Sequence, residues 1–208
     1  MSRTYIFKRF ERFWHWSQAA LIILMLLTGF EVHGSYKVFG WRQAGSLHTT
    51  AAWALIVLWA FAIFWHFTTG EWKQYIPTSE KIVAVMRYYA FGIFDANAHH
   101  PFRTTQLSKH NPLQRLAYLF VKLFISPLIW ISGLLYLYYP ELVKNSALAG
   151  VKLGPIALAH TLAAFLMLIF LIIHVYFATT GHTPLAHIKA MITGWEDLED
   201  DALPVKRT

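Results

Sequence analysis

Four stretches of this chain contain no Asp, Glu, Lys or Arg, and each is as long as a helix that crosses a bilayer. About 18 to 20 apolar residues in an α-helix span the hydrocarbon core of a membrane. The chain has only 208 residues, of which 56% are hydrophobic and 14% are charged, so little polar chain is left to cover four such helices. The uncharged stretches are 13–30, 43–70, 123–140 and 153–188.

This pattern predicts an all-α fold, an integral membrane four-helix bundle that forms one domain over residues 1–194. The first apolar run is longer than the core of a signal peptide and lacks a small-residue cleavage site, so we expect it to be retained as a span. The acidic segment 195–208 is expected to be a solvated cytoplasmic tail. The spans are predicted at about 13–30, 46–68, 113–139 and 155–178.

The positive charges are concentrated in connections that would share one side of the membrane. The net charge is +7. Four Lys and Arg precede span one and six lie in the connection 69–115, whereas two follow span one and two follow span three. Lys and Arg accumulate in cytoplasmic loops, so both termini are predicted to be cytoplasmic. Because the charges belong to membrane-flanking connections, a nucleic-acid-binding surface is the weaker interpretation and no nucleic acid partner is expected.

Two histidines of the fourth span, His160 and His174, are spaced to serve both faces of a membrane. Fourteen residues of α-helix rise about 21 Å and leave the two side chains within about 40° of one face. The hydrocarbon core is about 30 Å thick, so one helix would present an imidazole near each side. Ionisable side chains at membrane depth are rare and usually functional. The spacing therefore suits two redox centres stacked across the membrane.

The other spans offer each of these histidines a partner. With the N-terminus inside, His48 lies near the outer end of span two with His160, and His15 lies near the inner end of span one with His174. His66 competes with His15 for the inner position. It lies about 27 Å along the helix from His48, at the very edge of the membrane. A quinone contact, a propionate contact or a proton route are alternatives to ligation by His66.

The histidine layers predict two non-covalent b-type haems. The chain contains no cysteine, which excludes iron–sulfur clusters, thiolate metal sites and covalently attached c-type haem. Bis-imidazole ligation needs two neutral histidines on opposite sides of the porphyrin, delivered by facing helices. His48 and His160 would bind the outer haem iron, and His15 and His174 the inner one. Gly29, Gly133 and Gly154 could allow a porphyrin or another helix to approach closely.

The long connection between spans two and three is expected to contain an amphipathic helix. Apolar residues recur at helical spacing from residue 82 to 90, which favours a helix lying at the membrane interface. An ordinary surface loop is the alternative.

Several short motifs resemble the b561-type di-haem cytochrome b subunits of bacterial respiratory complexes. The families concerned are the formate dehydrogenase gamma subunit, the nickel–iron hydrogenase b-type cytochrome and the thiosulfate reductase cytochrome b. The resemblance runs from about residue 10 to residue 194. The matching elements are Phe13-Trp14-His15-Trp16, Leu47-His48, the segments 109–115 and 188–194, His160, and His174 followed by Val175-Tyr176.

The resemblance implies electron transfer across the membrane through two haems. In these families the inner haem is held from spans one and four, and this places it on His15 and His174. The outer haem is held from spans two and four, and this places it on His48 and His160. These assignments agree with the two histidine layers.

The resemblance also implies that a quinone, ubiquinone or menaquinone, reacts beside the inner haem. The corresponding positions are Asn111 and Gln114, whose amides can form hydrogen bonds with a quinone carbonyl. Lys109 and Arg115 are cations that could contact the quinone or a haem propionate. The alternative is that Asn111 caps span three and Arg115 anchors it at the membrane edge.

The expected partners are a periplasmic iron–sulfur or multihaem electron-transfer subunit and its catalytic subunit, together forming an oligomeric complex in the bacterial cytoplasmic (inner) membrane. The chain would then be the electron-transfer subunit of a respiratory oxidoreductase, with substrate turnover in another chain. A stand-alone transmembrane ferric or other metal reductase is an alternative, as is a haem-free transporter or metal channel lined by histidines.

Overall fold

The computed structural model describes residues 2–95, 100–102, 104–147, 149–181 and 183–198. Within them, four helical segments are long and apolar enough to cross a membrane, and together they confirm the predicted helical membrane bundle. Each begins or ends within a few residues of its predicted span. The four segments are Arg9–Val32, Trp41–Thr69, Pro112–Leu137 and Leu153–Ala178.

Helices dominate the described chain, and short elements connect the spans. The α-helices are α1 (Arg9–Val32), α2 (Trp41–Thr69), α3 (Ile82–Ala90), α4 (Pro112–Phe120), α5 (Ser126–Leu137), α6 (Tyr139–Lys144), α7 (Leu153–Ala178) and α8 (Ala186–Thr193). Two 3-10 helices, Glu71–Tyr75 and Gly92–Phe94, follow α2 and α3, and a π-helical turn, Val121–Ile125, joins α4 to α5. Two strands, β1 (Ser2–Tyr5) and β2 (Trp195–Leu198), lie at the ends of the described chain.

The spans turn large apolar side chains outward and small ones inward, as expected of a bundle whose solvent is lipid. On α2, three phenylalanines are more than 60% exposed while three alanines are buried. Small interior residues let helices approach closely and pack by van der Waals contact. The phenylalanines are Phe61, Phe64 and Phe67, and the alanines are Ala44, Ala51 and Ala62.

The first two spans form an antiparallel pair with a tightly fixed connection. Backbone N–H groups of residues 38–40 all donate to the buried carboxylate of Glu31 at the end of α1. Three amide donors on one carboxylate offset its burial near the membrane edge. At its other end α2 stops at Gly70, whose φ of 76° lies in the left-handed region that glycine adopts without strain.

The third span is interrupted near its middle by proline. Pro127 has no N–H to donate, and its ring crowds the carbonyl four residues earlier. The regular α-helical ladder is therefore broken, and the preceding residues, Val121–Ile125, form a wider π turn. Beyond it, α5 packs against α7, so α5 and α7 form a second antiparallel pair beside α1 and α2.

The first and last described residues lie at one end of the bundle because β1 pairs with β2 in antiparallel register, from Ser2 with Leu198 to Tyr5 with Trp195. We call this the terminal end and the opposite one the distal end. Gly194 makes the pairing possible: its φ is 88°, and its carbonyl accepts from the N–H groups of Ile6 and Phe7. An added Cβ there would lie 2.6 Å from the ring of Tyr5, so only glycine fits.

This pairing corrects one expectation from the sequence. The acidic segment was expected to be solvated from residue 195 onward, but residues 195–198 form β2 and Glu196 is buried. Four residues are too few to give a strand pattern, and their partner strand lies at the other end of the chain. Residues 199–208 lie outside the described part of the structure.

The amphipathic helix expected in the long connection is present as α3, so the surface-loop alternative is wrong. Within α3, the side chain of Val85 is completely buried, whereas those of Val83 and Met86 are mostly exposed. An exposed apolar side on a short helix beside a membrane bundle suits the lipid interface. α3 packs against α4 and so lies next to the start of the third span.

Four charged side chains fasten the connections at the terminal end to α1. The buried ammonium of Lys109 donates to Glu11 at 2.7 and 2.9 Å and to Glu71 at 2.9 Å, and Glu71 also pairs with Lys8 at 2.6 Å. Burial by itself would raise the pKa of Glu71, but the bonds from Lys8 and Lys109 outweigh it and hold that pKa below its usual value. The cluster ties three separate segments of the chain together.

Replacing Lys109 by methionine should strongly destabilise the terminal end, because Glu11 would remain buried without a counter-charge. Removing one partner of a buried pair costs about 3–5 kcal/mol. Lys8→Met is the matched control, since the Lys8 side chain is 50% exposed and an exposed pair contributes about 0–1 kcal/mol. Thermal unfolding of the detergent-solubilised protein would measure both. Equal transitions for the two variants would contradict a structural role for the cluster.

Candidate cofactor sites

The distal end brings together one histidine from α2 and one from α7. The ring centroids of His48 and His160 lie 6.1 Å apart, and their planes are inclined by 76°. Imidazole nitrogens bind metal ions at about 2.0 Å, so two imidazoles on opposite sides of one ion have centroids about 6.3 Å apart. The distance therefore matches a single metal ion held between the two rings.

Hydrogen bonds fix which nitrogen of His48 is free. Its Nδ1 lies 3.1 Å from the carbonyl oxygen of Met25 and 3.2 Å from the hydroxyl of Thr28. The Thr28 hydroxyl donates its own hydrogen to the carbonyl of Leu24 at 2.7 Å, so it meets His48 as an acceptor. Two acceptors around Nδ1 require that this nitrogen carry the proton. Nε2 then keeps its lone pair for a metal ion.

His160 has the same arrangement. Its Nδ1 lies 3.1 Å from the carbonyl oxygen of Ile129 and 3.2 Å from the hydroxyl of Ser132. The Ser132 hydroxyl donates to the carbonyl of Leu128, four residues earlier on α5. The proton therefore lies on Nδ1 here as well, and the Nε2 lone pair remains free.

A glycine lies in close contact with each distal histidine. A Cβ on Gly29 would lie 3.1 Å from Cε1 of His48, and a Cβ on Gly133 would lie 3.0 Å from Cε1 of His160. The sequence suggested that these glycines make room for a porphyrin or a helix, whereas in the structure the space is filled by the histidine ring itself. A Cβ on Gly154 would meet nothing within 4 Å, so Gly154 makes no such close contact with a described residue, and a porphyrin approach there stays a prediction.

The terminal end brings His15 and His174 together at the same separation. Their ring centroids are 6.1 Å apart and their planes are inclined by 47°. Phe170, one turn before His174, stacks on it at 5.7 Å. Within the described residues, the buried Nδ1 of His15 has no hydrogen-bond partner, so this pair lacks the orienting bonds of the distal pair.

His66, the alternative ligand, faces a different set of neighbours. Its ring contacts Trp14 at 5.0 Å and Tyr75 at 5.4 Å, and its Nδ1 bonds the carbonyl of Ala62 in its own helix. Its Nε2 is buried without a hydrogen-bond partner among the described residues. The structure thus places His15 opposite His174 and leaves His66 beside the pair.

The donor set of each pair fits haem. Among the described residues, no group of three or more His, Cys, Asp or Glu could hold a bare metal ion. Each pair would hold the iron of a b-type haem through its two imidazoles, and the haem would supply one-electron chemistry there. All four histidines are only partly buried in the described structure.

The side chains of two predicted quinone contacts form a helix cap. The side-chain oxygen of Asn111 accepts from the N–H of Gln114, and the side-chain oxygen of Gln114 accepts from the N–H of Asn111. This reciprocal capping box begins α4. The Asn111 amide also donates to the hydroxyl of Tyr89, and Asn111 is only 4% exposed. The capping alternative is therefore what the structure shows for Asn111.

The two predicted cations are likewise occupied by protein partners. Lys109 lies in the buried charged cluster described above. Arg115 donates to the carbonyl of His110 at 2.9 Å and to the hydroxyl of Ser108 at 2.6 Å, which holds the segment before α4. Both residues shape the terminal end, and both lie beside a cluster that the sequence did not single out.

That cluster surrounds His110 and lies next to the terminal histidine pair. His110 contacts the rings of Tyr75 at 5.1 Å and Tyr118 at 5.2 Å, and the ammonium of Lys122 lies 3.9 Å above Tyr75. Burial, aided by the nearby cations of Lys109 and Arg115, lowers the pKa of His110 to about 3, so its imidazole is neutral. The only sequence signal was the presence of His110 in the 109–115 motif.

Comparison with known proteins agrees with this geometry. The profile of the prokaryotic cytochrome b561 family matches residues 6–194. A protein of Escherichia coli (strain K12), named "Putative cytochrome YdhU", is 32% identical over 200 residues, which are 93% of this chain and 74% of that protein. No solved structure gives a significant match. The chain therefore belongs to the prokaryotic cytochrome b561 family, which indicates transmembrane electron transfer by b-type haem.

Gly133→Ala should weaken haem binding at the distal end, because the new Cβ would lie 3.0 Å from His160 and displace its ring. Loss of such an orienting feature typically costs about tenfold to hundredfold in affinity. Gly45→Ala is the control, since a Cβ there meets nothing within 4 Å. The haem-to-protein ratio of the purified variants, measured by absorption, should fall for Gly133→Ala alone. Unchanged haem content in both would show that this close contact does not matter.

Proposed function

We propose that this member of the prokaryotic cytochrome b561 family carries electrons across the bacterial cytoplasmic membrane, through two b-type haems, between a periplasmic redox partner and the quinone pool. The observation that carries the proposal is the pair of histidine sites at opposite ends of α7, each with centroids 6.1 Å apart. When bound, a haem supplies one-electron chemistry at its iron. His48 with His160, and His15 with His174, would hold the two haems.

The interior between the two sites supports electron transfer rather than passage of ions. The α7 residues buried between His160 and His174 are Ala163 and Met167, and both are apolar. The distal histidines also direct their Nδ1–H groups at helix carbonyls instead of at an aqueous path. These features argue against a haem-free channel lined by histidines, because such a channel needs polar groups along its length.

The charge distribution supports a cytoplasmic terminal end. Both termini meet in the β1–β2 pair, and the long basic connection 69–115 lies at the same end. By the positive-inside rule this end would face the cytoplasm and the distal end the periplasm. His48 and His160 would then receive or deliver electrons at the periplasmic partner, and substrate turnover would lie in a partner chain.

We also propose Lys122 as a quinone contact, in addition to the predicted positions Asn111 and Gln114. Lys122 is the cation of the π turn, its side chain is exposed where the span would face lipid, and its ammonium lies over Tyr75. π turns often occur at functional sites. A quinone that arrives from the bilayer could accept a hydrogen bond from this ammonium, beside the neutral His110 and the terminal histidine pair.

Lys122→Met should slow quinol oxidation or quinone reduction at least tenfold while leaving haem content unchanged. The substitution keeps the stem of the side chain and removes only the donor and its charge. Lys152→Met, an exposed lysine that precedes α7 at the distal end, is the control. Stopped-flow spectroscopy with a soluble quinol or quinone analogue would measure the rate in the purified protein. Equal rates in the two variants would place the quinone elsewhere, and a wild-type protein without a b-type spectrum would overturn the proposed function itself.

His15→Ala should lose the haem of the terminal end, whereas His66→Ala should retain both haems. The reason is that His15 lies opposite His174 and His66 does not contact it by any ring pairing in the described structure. Reduced-minus-oxidised difference spectra and haem quantification would distinguish the two variants. A haem lost from His66→Ala and kept in His15→Ala would reverse the assignment.

A further inference from the structure

The surroundings of the two distal histidines are built twice, from different parts of the chain. On α1, Thr28 and Gly29 face His48 of α2. On α5, Ser132 and Gly133 face His160 of α7. In both places a hydroxyl residue is followed directly by a glycine that touches the imidazole edge. The sequence offers no repeat over these segments, so the duplication is visible only in the folded chain.

The hydrogen-bond distances around the two Nδ1 atoms are also the same. Each Nδ1 lies 3.2 Å from the side-chain hydroxyl and 3.1 Å from a backbone carbonyl. Thr28 and Ser132 are both nearly inaccessible, with 0% and 4% exposure. Their hydroxyl hydrogens go to carbonyls four residues earlier, so each can only accept from the imidazole. A buried N–H that donates to two acceptors fixes both the orientation of the ring plane and the tautomer of the imidazole.

We infer that Thr28 and Ser132 are positioning residues for the distal cofactor site, which hold His48 and His160 with Nε2 free and enrich the electron density of that nitrogen. The inference rests on the proposed function, in which these two histidines bind one haem iron. A hydrogen bond donated from Nδ1 makes the opposite nitrogen a stronger electron donor, and a stronger donor stabilises the oxidised iron. The two hydroxyls therefore lower the midpoint potential of the distal site.

The terminal pair provides an internal reference for this effect. Among the described residues, the buried Nδ1 of His15 has no hydrogen-bond partner, and the ring planes there meet at 47° rather than 76°. Removing a hydroxyl at the distal end should therefore move one of the two b-type components and leave the other in place.

Thr28→Val and Ser132→Ala test the inference, and the chain supplies a matched control. Thr68 in α2 also donates to carbonyls three and four residues earlier, at 3.1 and 2.9 Å, and neither bond of its hydroxyl in the described structure involves a histidine. Thr68→Val thus removes the same helix bonds without altering a ligand. The conservative variants Thr28→Ser and Ser132→Thr keep the hydroxyl and should behave as the wild type.

Potentiometric titration of the haem-loaded full-length protein, followed in the visible spectrum, gives the midpoint potential of each component. We expect Thr28→Val and Ser132→Ala each to raise one and the same component, the double variant to raise it further, and Thr68→Val to change neither. The low-spin EPR signal of that component should also change, since it reports the angle between the two imidazole planes.

Two results would overturn the inference: equal shifts of both components, or potentials in Thr28→Val and Ser132→Ala that match those of Thr68→Val. Thr28→Val could be recovered with a single haem component, and Thr28→Ser then decides the outcome. Two haem components in Thr28→Ser support the positioning role, whereas the loss of one component in Thr28→Ser contradicts it. Two intact components that do not respond would refute the inference alone. A chain that binds no haem when supplied with it would refute the proposed function.

Discussion

The structure depends on placing the imidazoles of His48 and His160 inside a membrane with their Nδ1–H groups paired. In hydrocarbon an unsatisfied polar group costs several kcal/mol, and water is not available to bond it. The bundle meets this demand at the distal end with the helix carbonyls of Met25 and Ile129, and the hydroxyls of Thr28 and Ser132 lie beside the same Nδ1 atoms. Glycine then follows each hydroxyl residue, since any side chain there would push the imidazole away from its acceptors.

The two ends of the bundle meet different demands. At the distal end, short connections and one buried carboxylate, Glu31, hold the loop between α1 and α2. At the terminal end, the β1–β2 pair and the buried ammonium of Lys109 gather three chain segments over the second histidine pair. These contacts form a lid of protein on that side. Lys122 lies in the π turn beside this lid and is exposed.

The helical bundle and the histidine layers could be predicted because they depend on patterns with a single physical cause. Runs without charged residues predict helices that span a membrane. The spacing of His160 and His174 predicts their separation, because an α-helix has a fixed rise per residue. The roles of Asn111 and Gln114 could not be decided in this way, because an amide that caps a helix and an amide that meets a quinone look alike in sequence. The roles of Thr28 and Ser132 could not be predicted for a similar reason, since a hydroxyl residue inside an apolar helix usually forms a hydrogen bond with its own backbone.

The duplicated surroundings of the distal histidines bear on how the two antiparallel helix pairs, α1 with α2 and α5 with α7, are held together. His48 is hydrogen-bonded to α1 and His160 to α5, so each antiparallel helix pair orients one distal histidine by itself. A cofactor bound between the pairs would then contribute the interaction that links them, in addition to the packing of small residues. The terminal pair differs, because His15 and His174 gain no such bonds in the described structure and stand instead among Phe170 and the side chains around His110. Orientation at the distal end is thus a property of the helices themselves, whereas at the terminal end it depends on the packing of the connections that cover the site.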